Sequence, residues 1–190
     1  MTQRINTSQL SAEQQHLLEQ LLREEGIDVA GSDQIPRRRS DDEIPLSFAQ
    51  QRLWFLDQLN TESSAYNMGR ALRLTGDLNQ AAMEQALTEL LRRHESLRTT
   101  FAAHDGQARQ VIAPPARFQL PVTDLSTQPA AEREATIQQL LQTEAERPFD
   151  LARGPLFRAA LLRLGEREHV FFMNMHHIVS DGWSMMLFFK

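Results

Sequence analysis

One short stretch of the chain is dense in groups that can move protons: Met175-His176-His177-Ile178-Val179-Ser180-Asp181-Gly182-Trp183-Ser184. A neutral imidazole is a general base near physiological pH, because its unperturbed pKa is about 6.5. Adjacent residues of an extended strand point to opposite faces, so the two rings have different duties unless the strand has already turned. One ring is expected to serve a reacting group and the other to hydrogen-bond the scaffold. Asp181 could orient an imidazole, or pair with an arginine that pins the loop. Gly182 permits positive φ, or close approach of a ligand to the backbone. His and Asp also ligate metals, but no third ligand converges on the stretch and cysteine is absent, so no metal site is assigned. A bare His-His pair is more often structural than catalytic, and the catalytic reading gains weight only from the rest of the chain.

The elements that must hold these groups can be read around them. Val170-Phe171-Phe172-Met173-Asn174 is an apolar run with the look of a buried strand. Leu156 to Leu164, the turn at Gly165-Glu166, and His169 to His176 together predict a β-hairpin that delivers the histidines. Trp183 to Phe189 is apolar and free of Gly and Pro, which predicts the start of a buried helix. Further back, Ser47-Phe48-Ala49-Gln50 is a capping box ahead of an apolar helix carrying Gln50, Gln51 and Arg52. Asn67 to Thr75 alternates as a strand, and Asn79 to His94 is a helix with its core stripe at Met83, Leu87, Leu90 and Leu91. That helix runs into Arg93-His94-Glu95-Ser96-Leu97-Arg98-Thr99-Thr100-Phe101, whose cations suit capping and solvation at a helix C-terminus; the sharper reading is that one arginine, Arg93 or Arg98, turns inward to Asp181. Asp105-Gly106 predicts a hairpin between Leu97–Ala102 and Gln107–Ile112. Phe118 to Leu125, interrupted by Pro121, suggests an edge strand. A helix after Pro129 ends before Pro148, and Phe149 to Pro155 is a loop.

Composition sets the limits. The 190 residues suffice for one domain with a real core. A net charge of −5 and a pI near 5.7 argue against nucleic acid as a partner. No apolar run is long enough to span a bilayer and no signal-peptide pattern follows Met1, so no membrane partner and a cytoplasmic location are expected. Residues 1–45 are read as an appendage, a helix capped by Ser11 and Gln14 with a leucine stripe (Leu17, Leu18, Leu21, Leu22), closed by Gly26 and followed by a linker with the run Arg37-Arg38-Arg39. It is a solvated arm or a docking segment for a partner chain. Residues 46–190 form the domain proper. Lys190 falls inside the last predicted helix with no stop signal, so the chain is expected to be a piece of something longer.

Three strings now stand together: Ser47 to Leu56, Arg93 to Phe101, and Met175 to Ser184. In this order and spacing they resemble the first three core motifs of the condensation domains of nonribosomal peptide synthetases, and Pro148-Phe149-Asp150-Leu151 through Pro155-Leu156 is similar to that family as well. The resemblance covers about residues 45–190. Its details at Arg52-Leu53-Trp54-Phe55 and Ile178 to Ser184 look most like the subtype joining two L-aminoacyl units; a heterocyclisation domain would carry an aspartate-rich string in place of His176-His177. The resemblance implies an α+β fold, a chloramphenicol-acetyltransferase-like lobe in which a mixed β-sheet is flanked by helices, one half of a two-lobed pseudodimer. It implies amide formation between acyl or aminoacyl groups held as thioesters on carrier proteins, in the making of an antibiotic or other secondary metabolite. By match to the motif, His177 is the catalytic residue, accepting the amine's proton or holding the amine by a hydrogen bond. His176, Asp181, Gly182, Arg93 and Arg98 support it, and Ser180, Trp183, Ser184, Gln50 and Arg52 are motif neighbours along the tunnel. A thioester is already activated, so positioning and one proton acceptor can suffice; this fits the absence of a thiol nucleophile and of a Gly-x-Ser-x-Gly elbow.

The partners so implied are an upstream donor carrier, a downstream acceptor carrier, an adjacent adenylation domain and a C-terminal lobe that this chain lacks. No cofactor is expected on the domain itself, since the phosphopantetheine arms belong to the carriers. The fragment alone is expected to fold but not to condense substrates. Two other functions fit parts of the pattern. One is a CoA-dependent acyltransferase of the same superfold, or one using the His-x4-Asp spacing that His176 and Asp181 satisfy. The other is a carrier-binding module with no chemistry of its own.

Overall fold

The computed structural model describes residues 11–24, 38, 43–104 and 106–189. They belong to two compact units, Met1–Asp42 and Glu43–Lys190. In the first, helix α1 (Ala12–Glu24) opens on the expected reciprocal cap. Gln14 N–H donates to Ser11 Oγ at 3.3 Å, and Ser11 N–H donates to Gln14 Oε1 at 3.0 Å. Of its leucine stripe, Leu17 and Leu21 are exposed and Leu18 is half-buried. The side chain of Leu22, the Gly26 cap and most of the expected linker lie outside the described residues.

The second unit runs β1 (Ile44–Pro45), α2 (Phe48–Leu59), β2 (Asn67–Thr75), α3 (Gln80–Arg93), a 3-10 turn (Glu95–Arg98), β3 (Thr99–His104), β4 (Gln107–Ile112), β5 (Val122–Asp124), α4 (Ala130–Glu146), β6 (Phe157–Arg163), β7 (Glu168–His176) and α5 (Gly182–Phe188). Four strands form one sheet in the order β2-β7-β6-β5. β7 is antiparallel to both of its neighbours, while the short edge strand β5 runs parallel to β6, so the sheet is mixed. The remaining strands form a smaller sheet in the order β1-β4-β3. Ile44 and Pro45, read from sequence as the end of the linker, are therefore its edge strand: Gln110 Nε2 donates to the Pro45 carbonyl at 2.9 Å. A proline is tolerated there because an edge strand need not donate on both sides.

The apolar run of β7 is continuous because the large sheet is covered on both faces. Phe171, Met173 and Met175 pack with Leu87 of α3, Phe157 and Leu161 of β6 and Met185 of α5. Val170 packs on the opposite face with Ile137 of α4, Leu125 and Leu162. A third cluster joins the small sheet to the end of β7, with Phe101, Phe149, Leu151, Leu156 and Ile178 against Leu53 and Trp54 of α2. One expectation fails here. The segment Trp183 to Phe189 is not a buried helix. Met185 and, in part, Phe188 meet the core, while Trp183 is 66% exposed and Met186 and Leu187 are more than half exposed. A helix seven residues long has one inward side, and no described residue covers the other.

Gly154 closes the loop that seats Phe149 and Leu151. Its φ is +64°, and a Cβ built there would lie 2.8 Å from Thr100 Cγ2. Gly154→Ala should therefore destabilise the domain by at least about 1 kcal/mol, read as a lower urea midpoint with an unchanged m-value; an unshifted midpoint would mean that the loop adapts freely.

Candidate functional site

The site forms where β7 stops. The strand's last residue is His176, and the chain turns through residues 177–179 before α5 begins. Hydrogen bonds from three directions tie this turn down. His176 N–H donates to the Leu156 carbonyl at 3.1 Å, and His177 N–H to the Tyr66 carbonyl at 2.9 Å. Val179 N–H returns to the His176 carbonyl at 3.1 Å. From α2, Gln50 Nε2 reaches the Ile178 carbonyl at 3.4 Å, while Gln50 Oε1 accepts from Ser47 N–H at the helix start. The capping box expected from sequence thus fastens α2 to the histidine turn.

The two histidines differ in burial, His176 ending the strand and His177 opening the turn. His176 is only 3% exposed, edge-on to Phe149 and tilted against Tyr66. Its Nδ1 accepts the Ile178 N–H at 3.1 Å, so the proton of the neutral ring sits on Nε2. Burial, aided by the neighbouring His177, lowers its pKa to about 4. His177 is exposed. Its Nδ1 lies 2.7 Å from the Ser180 carbonyl. A carbonyl only accepts, so Nδ1 carries the proton and Nε2 presents a lone pair outward. This is the arrangement of a general base with its tautomer fixed by the backbone.

Asp181 does something other than expected. It is the N-cap of α5, accepting from Ser184 N–H at 2.8 Å and from Ser184 Oγ–H at 2.7 Å. These donors, with a smaller contribution from His177, hold its carboxyl below the usual range. Neither expected arginine pairs with it. Arg93 pairs with Glu89 at 2.7 Å, one turn back on α3. Arg98 donates to the Ala113 carbonyl and lies 3.5 Å from Glu95. The physical reason is local: an aspartate just before a helix finds free N–H groups within its own turn. Gly182 does not use positive φ and begins α5, where an added Cβ would meet nothing within 4 Å.

The structure therefore brings His176, His177, Ser180, Asp181, Gly182, Trp183, Ser184 and Gln50 together. It leaves Arg93 and Arg98 elsewhere, and Arg52 is exposed without a hydrogen bond or ion pair among the described residues. The sequence reading missed Tyr66, Phe149, Asn174 and Arg158 as parts of the support. Two of these had a signal: Asn174 and Arg158 are lone polar residues inside apolar strands, and a buried polar group needs a partner. Among the described residues no group of three or more His, Asp or Glu could hold a metal ion. No described helix is long and apolar enough to cross a membrane. A groove of about 640 Å³ lies between α4 and β6, lined in part by Leu140, Glu144, Phe149, Arg158 and Phe172. His177 does not line it.

The family described as Condensation domain matches residues 40–190. One of the linear gramicidin synthase subunits of Brevibacillus parabrevis is 53% identical over 156 residues, 82% of this chain and 2% of that protein. Phosphinothricin tripeptide synthetase PhsC of Streptomyces viridochromogenes is 45% identical over 180 residues, 94% of this chain and 16% of that protein. The chain thus spans a small part of the curated relatives it matches. Among solved structures, the starter condensation domain of rhizomide synthetase RzmA superposes with a TM-score of 0.72 at 31% identity, over 79% of this chain and 36% of that one. The first condensation domain of the calcium-dependent antibiotic synthetase gives a TM-score of 0.70 at 31% identity, again over 79% and 36%.

Proposed function

Because the chain belongs to the condensation-domain family, we propose that it contributes the proton-accepting half of an amide-forming site in nonribosomal peptide synthesis. The α+β, chloramphenicol-acetyltransferase-like fold is that of the solved condensation domains, of which this chain spans about a third. The substrates are two thioesters, each on the phosphopantetheine arm of a carrier protein, one upstream donor and one downstream acceptor. The acceptor amine attacks the donor carbonyl, the N–C bond forms and the C–S bond breaks. The amine proton passes to His177 Nε2, and the departing thiolate takes up a proton as the imidazolium returns to neutral. The single observation that carries the reading is the exposed His177 ring with Nδ1 committed to the Ser180 carbonyl.

His176 and Asp181 shape the turn. Gly182, Trp183 and Ser184 face the arriving acceptor arm, and Gln50 anchors the turn. The strings at Arg52-Leu53-Trp54-Phe55 and Ile178 to Ser184 favour the subtype joining two L-aminoacyl units. An adenylation domain adjoins the unit in the cytoplasmic synthetase, and a second lobe completes the tunnel. The exposed side of α5 is one surface that such a lobe would cover. The test is a mixture of donor-loaded and acceptor-loaded carriers. The synthetase containing residues 1–190 should yield the amide on the acceptor carrier, and the isolated 190-residue chain should not. A synthetase that produces none, or uses acyl-CoA instead of the donor carrier, overturns the proposal.

A further inference from the structure

The C-terminal end of α4 leaves backbone carbonyls without helical partners, and three side chains from the large sheet converge on them. Asn67 Nδ2 donates to the Ala145 and Arg147 carbonyls at 2.6 and 2.9 Å. Asn174 Nδ2 donates to the Glu144 carbonyl at 2.9 Å. Arg158, on β6, donates through Nη1 to the Pro148 carbonyl at 3.0 Å and through Nη2 to the Arg147 carbonyl at 2.5 Å. Its guanidinium carbon also sits 3.8 Å from the centroid of Phe149. A planar fork can make these contacts at once, whereas an ammonium cannot.

Phe149 passes the constraint on. It is 3% exposed, with the guanidinium on its face and its ring edge-on to His176 at 6.1 Å between centroids. The His176 ring in turn holds the Ile178 N–H, one residue beyond His177. We infer that Arg158 and Phe149 are positioning residues for the reaction, setting the His177 imidazole through the packed ring of His176. Neither touches a reacting atom. Loosening the guanidinium clasp lets Phe149 shift, the His176 ring rotates off the Ile178 N–H, and the His177 turn loses its fixed height. A displacement of about 1 Å at a reacting group can lower a rate by about 100-fold.

This inference rests on the proposed amide-forming role, but its first readout does not. In the 190-residue chain labelled with 15N-histidine, Arg158→Met and Phe149→Leu, which keeps an apolar side chain but removes the ring, should each change the His176 and His177 ring-nitrogen shifts, the His177 Nδ1–H signal moving as its bond to Ser180 loosens. Arg158→Lys, which keeps the charge but not the fork, should change them in the same direction. In the synthetase, each variant should lower kcat by about 10- to 100-fold per folded molecule with carrier KM nearly unchanged. Unchanged ring shifts in folded Phe149→Leu and Arg158→Met overturn the inference, as does a kcat per folded molecule equal to that of the parent. If the shifts move but His177→Ala leaves amide formation intact, the functional reading fails while the structural linkage stands.

Discussion

Replacing His177 with alanine in the synthetase should lower kcat for amide formation by about 10²- to 10⁴-fold, the range expected when a positioned proton acceptor is lost. The carriers' KM should hardly change, because the ring is one small contact among the many that seat a protein partner. The expectation follows from the tautomer. Ser180's carbonyl can accept only a proton held on Nδ1, so Nε2 is available as a base in every neutral molecule. Glutamine at this position separates two roles. It can hold an amine by a hydrogen bond but cannot take its proton. His177→Gln should therefore be nearly as slow as His177→Ala. Near-parental turnover in His177→Gln would show that the residue holds the amine without serving as its base. Near-parental turnover in His177→Ala would remove the imidazole from the mechanism altogether.

The second large effect is on stability. His176 has a folded pKa of about 4 against an ordinary value of 6.5, chiefly through burial. The native state prefers the neutral ring and the unfolded chain takes up a proton first. Between the two values the unfolded state binds more protons, so stability rises with pH. The contribution is fully present above about pH 6.5 and is lost as pH falls toward about 4. Its full size is about 3 kcal/mol at about 1.4 kcal/mol per pH unit. Protonation also turns the Nδ1 acceptor into a donor facing the Ile178 N–H, so acid disorders the turn that carries His177. Carboxylates titrate in the same window, and a variant must separate them. Asparagine can keep an acceptor near the Nδ1 position without titrating. Urea unfolding of the chain at about pH 7.5 and pH 4.5 should show about 2.5 kcal/mol more acid loss in the parent than in His176→Asn. Parallel losses would mean that the ring is not held neutral in the fold.

What the sequence disclosed follows the range of the forces involved. The β6–β7 hairpin was legible because Gly165-Glu166 and the flanking apolar runs are neighbours in the chain. The boundaries of β2 came from alternation and the closing Gly76-Asp77, and the caps at Ser11 and Ser47 from residues three apart. A contrast between His176 and His177 was expected from strand alternation, but in the structure it arises because the strand ends at His176 and His177 opens the turn; His177 was singled out only by match to a motif. A distant arginine was the expected partner of Asp181, while Ser184 stands three residues away as an available donor. Trp183 to Phe189 shows a different limit. Apolar composition says what gains by burial but not what is present to cover it. The linkage inferred between Arg158 and Phe149 was opaque for a third reason: it rests on stacking that joins β6, the loop after α4 and the end of β7. No local pattern encodes that convergence.

The strand order has a consequence for synthesis. β7 comes last among the described strands yet lies between β2 and β6, and its register with β2 pairs Asn67 with His176, 109 positions later. β2 thus leaves the ribosome without its sheet partner and waits for that partner to emerge. At roughly 5–20 residues per second the delay is about 5–20 s, long compared with the microseconds in which a hairpin closes. During that interval the nascent strand offers an unpaired edge, with Arg70 and Arg73 in it as charges that discourage association with neighbouring nascent chains.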